Sequence, residues 1–283
     1  MVRVLCRSVP TSKRFPGPVE ISLGDVQSEG AVAAAAEGAS TVFHLAGLLH
    51  NPRPGPSDLS LYEAVNVGGA RNVARAAIRN RAAVILFSTI SVYGATRGAV
   101  DESAPVNPEG PYATTKWRSE EVLLNAGVDV SVLRFAAVYG SQMKGNYARL
   151  VDALRRRRFV AVGDGSNRRT LVHEEDAVRA AILAADQVKK MPGVYNVTDG
   201  STHAMNDILK AICMALNRPE PSVRIPAGLA RVLSRAVGRA HLVDKYLENV
   251  EVLGDRIQAR LGFTPRFDLA AGWREALRVQ GSD

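Results

Sequence analysis

Short apolar segments recur along the first half of the chain, and the stretches between them repeat their apolar residues at a helical spacing. Short apolar runs rich in Val, Ile and Phe are typical of β-strands, and the intervening pattern is typical of amphipathic helices. The predicted strands are Met1–Cys6, Val19–Leu23, Thr41–Leu45, Ala82–Phe87 and Val128–Phe135. The predicted helices are Val26–Ala36, Leu59–Arg79 and one that begins near Pro111.

The order of these elements predicts the fold class. Near-continuous apolar strands that alternate with helices favour an α/β fold with a doubly wound parallel sheet, covered by helices on both faces. The ligand site of such a sheet lies beyond the carboxyl ends of its strands. Small or polar residues occur at four of these ends, namely Gly24-Asp25, Ala46-Gly47, Ser88-Thr89 and Tyr139-Gly140. We therefore expect the chemistry at this edge of the sheet.

The alternation loosens after Gly140, where helical segments are separated by short strands and loops. We expect a core domain over residues 1–140 and a smaller, mostly helical substrate-binding lobe over residues 141–283, with some segments returning to the core. Within the lobe, Arg231, Arg235 and Arg239 recur at a four-residue spacing, which places them on one face of a helix. A solvated face is the ordinary interpretation, and contact with a sugar nucleotide or a membrane surface is the alternative.

Composition limits the classes of partner. The 283 residues include 36 Lys and Arg against 28 Asp and Glu, so the net charge of +8 suits an anionic partner. No aromatic residues are interleaved with the basic ones, so we expect no nucleic acid. The five histidines show no paired ligand spacing, and no metal is expected.

The location of the protein follows from other absences in the sequence. We see no apolar run of about 18 residues, so stable membrane insertion is not expected. No secretory leader is visible, and Cys6 and Cys213 are the only cysteines. Two reduced thiols in a cytoplasmic protein are the expectation.

One candidate catalytic pair lies at the start of the third predicted helix. Tyr112 and Lys116 are four residues apart, so a phenol and an ammonium would lie one turn apart on the same face. An ammonium beside a phenol favours the phenolate and lowers its pKa from about 10. Such a tyrosine can exchange a proton with a hydroxyl near neutral pH.

Further segments surround this pair in a fixed order along nearly the whole chain. They are Gly24-Asp25-Val26, His44-Leu45-Ala46-Gly47, Asn66-Val67-Gly68, Ser88 to Gly94, Tyr112 to Lys116, Arg134 to Gly140, Gly163-Asp164-Gly165, Arg169 to His173 with Asp176, and Leu261 to Pro265. Together they resemble the extended short-chain dehydrogenase/reductase family, in particular its NAD(P)-dependent nucleotide-sugar epimerases and reductases. The resemblance implies a Rossmann-like core.

The resemblance also implies catalytic roles. Tyr112 would take or give a hydroxyl proton while a nicotinamide takes or gives hydride. Thr89 would hydrogen-bond the reacting oxygen of the substrate. Lys116 would bind the nicotinamide ribose and lower the pKa of Tyr112. The segment Ile90-Ser91 stands where the 4,6-dehydratases of the family carry Asp-Glu, so that elimination is not expected.

Cofactor-binding positions are implied as well. Asp25 and Val26 match the segment that contacts the adenine, and Leu45, Ala46 and Gly47 match the small-residue turn that the cofactor approaches. Arg7 follows the first visible strand, where relatives discriminate ribose from ribose phosphate. An arginine there leans towards NADP over NAD, because it could pair with a 2′-phosphate. A turn aspartate and a solvated arginine are the alternatives.

For the substrate, the family implies a nucleoside diphosphate sugar. Asn146 matches the segment that meets the diphosphate, and Arg169 matches an arginine that pairs with it. The alternatives are a helix-capping asparagine and a surface arginine. Relatives often form homodimers through the two long helices, here near Leu59–Arg79 and Tyr112–Asn125.

One departure from the family pattern affects the cofactor. The first strand and its glycine-rich turn should precede Val2, and no glycine occurs before Gly17. A central strand and the helix N-terminus that holds the pyrophosphate would then be missing. We expect either that Met1 is not the true start or that the gene is a truncated copy. A catalytically dead binding or scaffold protein is the alternative to an enzyme that epimerises or reduces a sugar.

Overall fold

A computed structural model describes residues 1–9, 15, 17–49, 58–236 and 240–278, with the backbone alone for residues 58, 236 and 240–242. Arg239, which belongs to the four-residue arginine repeat, lies outside this range. In chain order the described strands are β1 (Arg3–Cys6), β2 (Glu20–Leu23), β3 (Thr41–His44), β4 (Ala83–Thr89), β5 (Val130–Phe135), β6 (Ala137–Tyr139), β7 (Ala161–Val162), β8 (Arg168–His173), β9 (Gly193–Val197), β10 (Thr202–Ala204) and β11 (Arg224–Ile225).

The helices alternate with these strands, as the apolar pattern predicted. They are α1 (Glu29–Ala35), α2 (Asp58–Tyr62), α3 (Gly69–Asn80), α4 (Gly110–Leu124), α5 (Asn146–Arg155), α6 (Glu174–Gln187), α7 (Met205–Ala215), α8 (Ala227–Ala236), α9 (Ala240–Leu247), α10 (Asp255–Leu261) and α11 (Leu269–Arg278). A π-helix over Glu63–Gly68 joins α2 to α3, and a 3-10 helix over Ile90–Tyr93 follows β4.

The chain forms two compact units. The first, called unit 1, contains residues 1–94, 105–134 and 181–195. The second, called unit 2, contains residues 95–104, 135–180 and 196–283. Residues 181–195 are thus part of the first unit although they follow the boundary predicted at residue 140, which stays a prediction.

Unit 1 contains two parallel β-structures. β1 pairs with β2 so that Arg3 faces Glu20 and Cys6 faces Leu23. A second sheet has the order β3–β4–β5–β9, in which β3 and β4 are parallel. Ala83 to Leu86 of β4 are all buried, because helices α3 and α4 pack on this strand. The predicted α/β fold with parallel, helix-covered strands is confirmed.

The two sheets of unit 1 share one hydrophobic core. Leu5 of β1 and Val42 of β3 pack on the same cluster, which also contains residues of α1 and α3. Among the described strands, however, β1 pairs with β2 alone and β3 with β4 alone.

β3 is less buried than its apolar sequence predicted. Phe43 is 43% exposed and Leu45 just beyond the strand is 60% exposed, whereas His44 is buried. Among the described strands β3 has one paired neighbour, β4, so it lies at an edge of this sheet.

The helix predicted over Leu59–Arg79 contains a π-turn that its periodicity did not reveal. A π-helix accommodates an extra residue per turn and is frequent at functional sites. Gly69 starts α3 directly after this turn, and a Cβ at Gly69 would lie 2.9 Å from Cγ2 of Val26. The glycine therefore allows α3 to pack closely on the segment that follows β2.

Unit 2 has its own sheet and core. Its main sheet has the order β10–β8–β6, with β8 antiparallel to β10 and parallel to β6, and β7 pairs with β11. Trp273 of α11 is fully buried against α7 and stacks on Tyr139, with the ring centroids 4.4 Å apart. Helices α5 and α7 to α11 lie in this unit, and its role as the predicted substrate-binding lobe stays a prediction.

Candidate active site

The two residues of the predicted catalytic pair lie on the first turns of α4. Gly110 begins this helix with a φ of 75°, a backbone conformation that favours glycine, and Pro111 follows in the first turn. Tyr112 is partly buried, and Lys116 is 6% exposed. The helix therefore holds both side chains on its inward side.

Lys116 interacts with a backbone carbonyl and with a nearby carboxylate. Its Nζ donates a hydrogen bond to the carbonyl oxygen of Phe87 at 2.5 Å. Burial lowers the pKa of Lys116 from 10.5 to about 8, and the nearby carboxylate of Glu120 limits this decrease. Below about pH 8 the side chain is therefore an ammonium held against the carboxyl end of β4.

His44 at the end of β3 faces the same ammonium. Burial and the positive charge of Lys116 together lower the pKa of His44 from 6.5 to about 3. The imidazole is therefore neutral at pH 7, so it adds no second positive charge beside the lysine.

Tyr112 is hydrogen-bonded to Thr89, the third predicted catalytic residue. Burial raises the pKa of Tyr112 above 10, and the hydrogen bond with Thr89 lowers it by a smaller amount. The expectation that Lys116 brings the pKa of Tyr112 below its ordinary value is wrong for this structure, because desolvation of the phenolate dominates. The phenol therefore keeps its proton at neutral pH.

The end of β4 fixes the orientation of Thr89. Thr89 caps the 3-10 helix: its Oγ1 accepts a hydrogen bond from the backbone N–H of Ser91 and donates one to Ser91 Oγ, both at 3.1 Å. These two contacts fix the rotamer of Thr89, and because its only hydroxyl proton goes to Ser91 Oγ, Thr89 could donate to another oxygen only by releasing Ser91.

Asn66, to which the sequence assigned no role, joins the elements of this site. It lies in the π-helix and is 2% exposed. Its Nδ2 donates to Thr115 Oγ1 at 3.0 Å, and its Oδ1 accepts from the backbone N–H of Leu48 at 2.7 Å. A Cβ at Gly47 would lie 3.2 Å from Asn66 Oδ1 and 3.9 Å from Lys116 Nζ. Asn66 therefore holds the turn after β3 against the catalytic helix.

A buried ion pair lies one helical turn beyond Lys116. Glu120 is 1% exposed and accepts hydrogen bonds from Arg134 of β5, including one at 2.7 Å from Nη2. Ser88 also donates to Glu120, and Arg134 Nη1 donates to the hydroxyl of Tyr93 at 2.8 Å. The network ties α4, β4, β5 and the 3-10 helix together around the site.

The predicted cofactor residues of the first two strands lie at one edge. The pairing of Cys6 with Leu23 places Arg7 and Asp25 beyond the same end of β1 and β2. Arg7 is exposed, while Asp25 Oδ1 accepts a hydrogen bond from the backbone N–H of Gln27 at 2.9 Å. Val26 is buried in the core, so only its backbone is placed for a ligand.

The turn after β3 is open to solvent. Leu45, Ala46 and Gly47 are exposed, and they follow β3 at the carboxyl edge of the second sheet. Gly47 approaches Lys116 as described above, so this turn and the catalytic helix border one surface of unit 1.

The predicted substrate residues lie in unit 2. Asn146 is exposed and is the first residue of α5, after Gly145 with a φ of 76°. Arg169 is already hydrogen-bonded to backbone carbonyls, at 2.8 Å to Lys245 and 2.9 Å to Tyr246, and also to that of Glu248. Its guanidinium therefore holds the end of α9, and its assignment to substrate stays a prediction.

The described residues contain neither a candidate membrane-spanning helix nor a candidate metal-binding group of side chains. No helix in this part of the chain has the length and apolar character needed to cross a membrane. Within the same residues, no three His, Cys, Asp or Glu side chains come together as a group that could hold a metal ion.

Several known proteins resemble this chain, among them two sugar epimerases and a protein whose structure contains a nucleotide sugar and NAD. The chain is 27% identical to the N-acetyl-alpha-D-glucosaminyl-diphospho-ditrans,octacis-undecaprenol 4-epimerase of Escherichia coli O157:H7, over 93% of this chain and 84% of the relative. It is 25% identical to the UDP-glucose 4-epimerase of Vibrio cholerae, over 78% of this chain and 70% of that relative. The structure of MoeE5 in complex with UDP-glucose and NAD matches with a TM-score of 0.78 and 26% identity, over 99% of this chain and 90% of MoeE5.

A family model supports the same relationship. The model described as the NAD dependent epimerase/dehydratase family matches residues 2–198, which is more than half of the chain. The ordered segments, the parallel sheet and the Thr89–Tyr112–Lys116 geometry agree with this match. The chain belongs to the NAD dependent epimerase/dehydratase family.

Proposed function

We propose that this protein is an NAD(P)-dependent enzyme that epimerises, oxidises or reduces the sugar of a nucleoside diphosphate sugar. The observation that carries the proposal is the hydrogen bond between Tyr112 and Thr89, with the buried ammonium of Lys116 one turn away on α4. The UDP-glucose and NAD bound to MoeE5, and the UDP-glucose 4-epimerase activity of the Vibrio cholerae relative, support the substrate class and the cofactor.

The residues of unit 1 fit the nicotinamide end of such a cofactor. Gly47 leaves the backbone open beside Lys116, where a side chain would fill the space. Lys116 would hold the ribose hydroxyls, and Asp25 with the backbone of Val26 would meet the adenine. When bound, the nicotinamide accepts hydride from a carbinol carbon and returns it.

The proton transfer falls to the side chains on α4 and β4. Because burial raises its pKa, Tyr112 carries a proton at neutral pH and is prepared to act as a general acid. As a base it depends on Thr89, whose hydrogen bond stabilises the phenolate, and on the positive charge of Lys116. Thr89 would also hold the substrate oxygen that gains or loses the proton.

The substrate diphosphate is assigned to the start of α5 in unit 2. The first backbone N–H groups of a ten-residue helix are unpaired within the helix and favour an anion, and Asn146 is the first residue there. Arg169 would join them only by exchanging its backbone carbonyl partners for phosphate oxygens. Asn146 is therefore the stronger of the two assignments.

NADP as the cofactor, a cytoplasmic location and a homodimer are further proposals. Arg7 favours NADP, although MoeE5 was found with NAD. A cytoplasmic location follows from the substrate class. A homodimer through α3 and α4 is supported by exposed apolar side chains on these helices, Ile78 at 53% and Leu124 at 43%.

A catalytically dead nucleotide-sugar-binding or scaffold protein is the second candidate. The observation in its favour is that, among the described strands, the β1–β2 pair is separate from the four-stranded sheet. Cofactor affinity distinguishes the two functions, because an enzyme of this family has to hold its nicotinamide.

The experiment titrates the purified chain with NAD, NADP and their reduced forms by calorimetry. It then incubates the protein with a panel of UDP-hexoses and follows new anomeric signals by proton NMR. The proposal expects cofactor binding and at least one converted sugar. Sugar-nucleotide binding without cofactor binding or turnover would favour the scaffold, and Arg7→Ala with unchanged discrimination between NADP and NAD would refute the role of Arg7.

A further inference from the structure

Helix α8 has apolar side chains that are exposed and lie outside the core of unit 2. Leu229, Val232 and Leu233 are 51%, 62% and 53% exposed. Their spacing of three and four residues places them on one face of the helix. Ala230, which borders this strip on the helix, is buried. A contiguous apolar strip on a surface helix is typical of a contact site.

The polar residues of α8 have a single sign of charge. Arg231 and Arg235 are four residues apart and are both exposed, and the sequence AGLARVLSRA contains no acidic residue. Arg231 donates to Asp244 of α9 at 2.7 Å, which fixes the side of the helix that faces unit 2. Arg235 therefore stands beside the apolar strip as a charge available to an anionic partner.

An amphipathic helix with an apolar strip and flanking arginines is the ordinary form of an interfacial membrane helix. We propose that α8 lies on the surface of an anionic phospholipid bilayer, with Leu229, Val232 and Leu233 in the headgroup boundary and Arg235 at the lipid phosphates. The net charge of +8 favours the same partner at longer range. The inference goes beyond the proposed function and does not depend on it.

A second copy of the chain fits this face less well. This face has three exposed apolar side chains, whereas each partner in a stable dimer contributes roughly 20–30 residues and buries roughly 800 Å². A two-fold contact through α8 would also bring arginines of both copies to one interface. A bilayer needs no such area, because insertion of a few side chains adds to the attraction of its anionic headgroups.

The apolar strip of α8 has a matched control on another helix. Val178 and Ile182 of α6 are 56% and 54% exposed and are also four residues apart. The first turn of α6, however, contains Glu174, Glu175 and Asp176, which an anionic surface repels. Substitutions there remove a similar apolar area without changing the proposed contact.

The test is co-sedimentation of the full chain with phosphatidylcholine vesicles that contain one third phosphatidylglycerol, compared with phosphatidylcholine alone. We expect binding to the anionic vesicles that weakens with salt. The triple change L229S/V232S/L233S should weaken it about 100-fold, and Arg235→Gln about fivefold at low salt. V178S/I182S should leave it unchanged. Equal binding of the triple variant and the wild type, or no binding of the wild type, would overturn the proposal.

A fluorescence experiment does not depend on the folding of the triple variant. Leu233→Trp should show a blue-shifted emission when anionic vesicles are added, because the indole enters a less polar layer. Light scattering without lipid tests whether a second copy of the chain binds this face instead. A wild-type dimer that the triple change converts to a monomer, with no emission shift in Leu233→Trp, would assign the face to a second copy instead.

Discussion

Replacing Glu120 by glutamine keeps the size of the side chain and removes its charge, so the guanidinium of Arg134 loses its ionic partner. Both side chains are buried, at 1% and 7% exposure, and Nη2 of Arg134 lies 2.7 Å from the Glu120 carboxylate. Removing one member of a buried pair leaves an uncompensated charge and typically costs about 3–5 kcal/mol. We expect Glu120→Gln to lower the free energy of unfolding by about 3 kcal/mol, near the lower end of this range, because the amide oxygen still accepts one hydrogen bond.

Urea unfolding followed by tryptophan fluorescence measures this loss. The matched control is Asp152→Asn, which breaks an i,i+4 pair with Arg156 in which the side chains are 54% and 61% exposed. Exposed pairs of this kind contribute at most about 0.5 kcal/mol. A loss below about 1 kcal/mol for Glu120→Gln, or equal losses for the two variants, would refute the argument that the buried pair braces the site.

The remaining predictions concern titration and packing. Because the pKa of Lys116 is lowered from 10.5 to about 8, the unfolded state binds its proton more tightly between these values. The unfolding free energy of the wild type should therefore rise with pH across this window, by about 3 kcal/mol relative to Lys116→Met; parallel curves would contradict this. The pKa of His44 is lowered to about 3, so the wild type should lose about 3 kcal/mol relative to His44→Leu as the pH falls from about 6.5 to about 4.5. An equal acid sensitivity of the two proteins would show that His44 is not buried as described. A Cβ at Gly272 would overlap the hydroxyl of the buried Tyr139, whereas one at Gly228 meets nothing. Thermal melts should therefore show Gly272→Ala destabilised by about 2–3 kcal/mol and Gly228→Ala stabilised by up to about 1 kcal/mol, and the reverse order would be incompatible with this packing.

The residue pattern was sufficient for the parts of the site that depend on local spacing. The pattern placed Thr89 at the carboxyl end of a strand and Tyr112 and Lys116 one helical turn apart, whereas the family resemblance implied that the three act together. The structure brings them together there, with a hydrogen bond between Thr89 and Tyr112. Their catalytic roles remain a proposal.

The contacts that brace the site could not be predicted in the same way. Glu120 and Arg134 belong to different elements, and the interaction of Asn66 with Thr115 spans a π-turn that a period of 3.6 residues cannot show. Their only sequence signal was that polar residues interrupted otherwise apolar helix and strand faces. Buried polar residues of this kind need partners, but the sequence does not name them.

The predicted decrease of the Tyr112 pKa has the wrong sign, because burial outweighs the other influences on the phenol. The guanidinium of Arg169 is bound to backbone carbonyls at the end of α9, and its contact with a diphosphate, which the family resemblance implied, stays a prediction. Both differences come from long-range packing, which sets desolvation and competing hydrogen bonds.

The most direct test of the central claim compares the wild type with Tyr112→Phe in the conversion of a UDP-hexose with NAD, measured as single-turnover reduction of the cofactor at 340 nm. Tyr195→Phe is the matched control, since it removes a buried hydroxyl that donates to the Met191 carbonyl at 2.8 Å. The account predicts a loss of about 10²–10⁴-fold for Tyr112→Phe with cofactor affinity retained, and an unchanged rate for the control. A Tyr112→Phe protein that reduces the cofactor as fast as the wild type would contradict the assignment of Tyr112 as the acid and base.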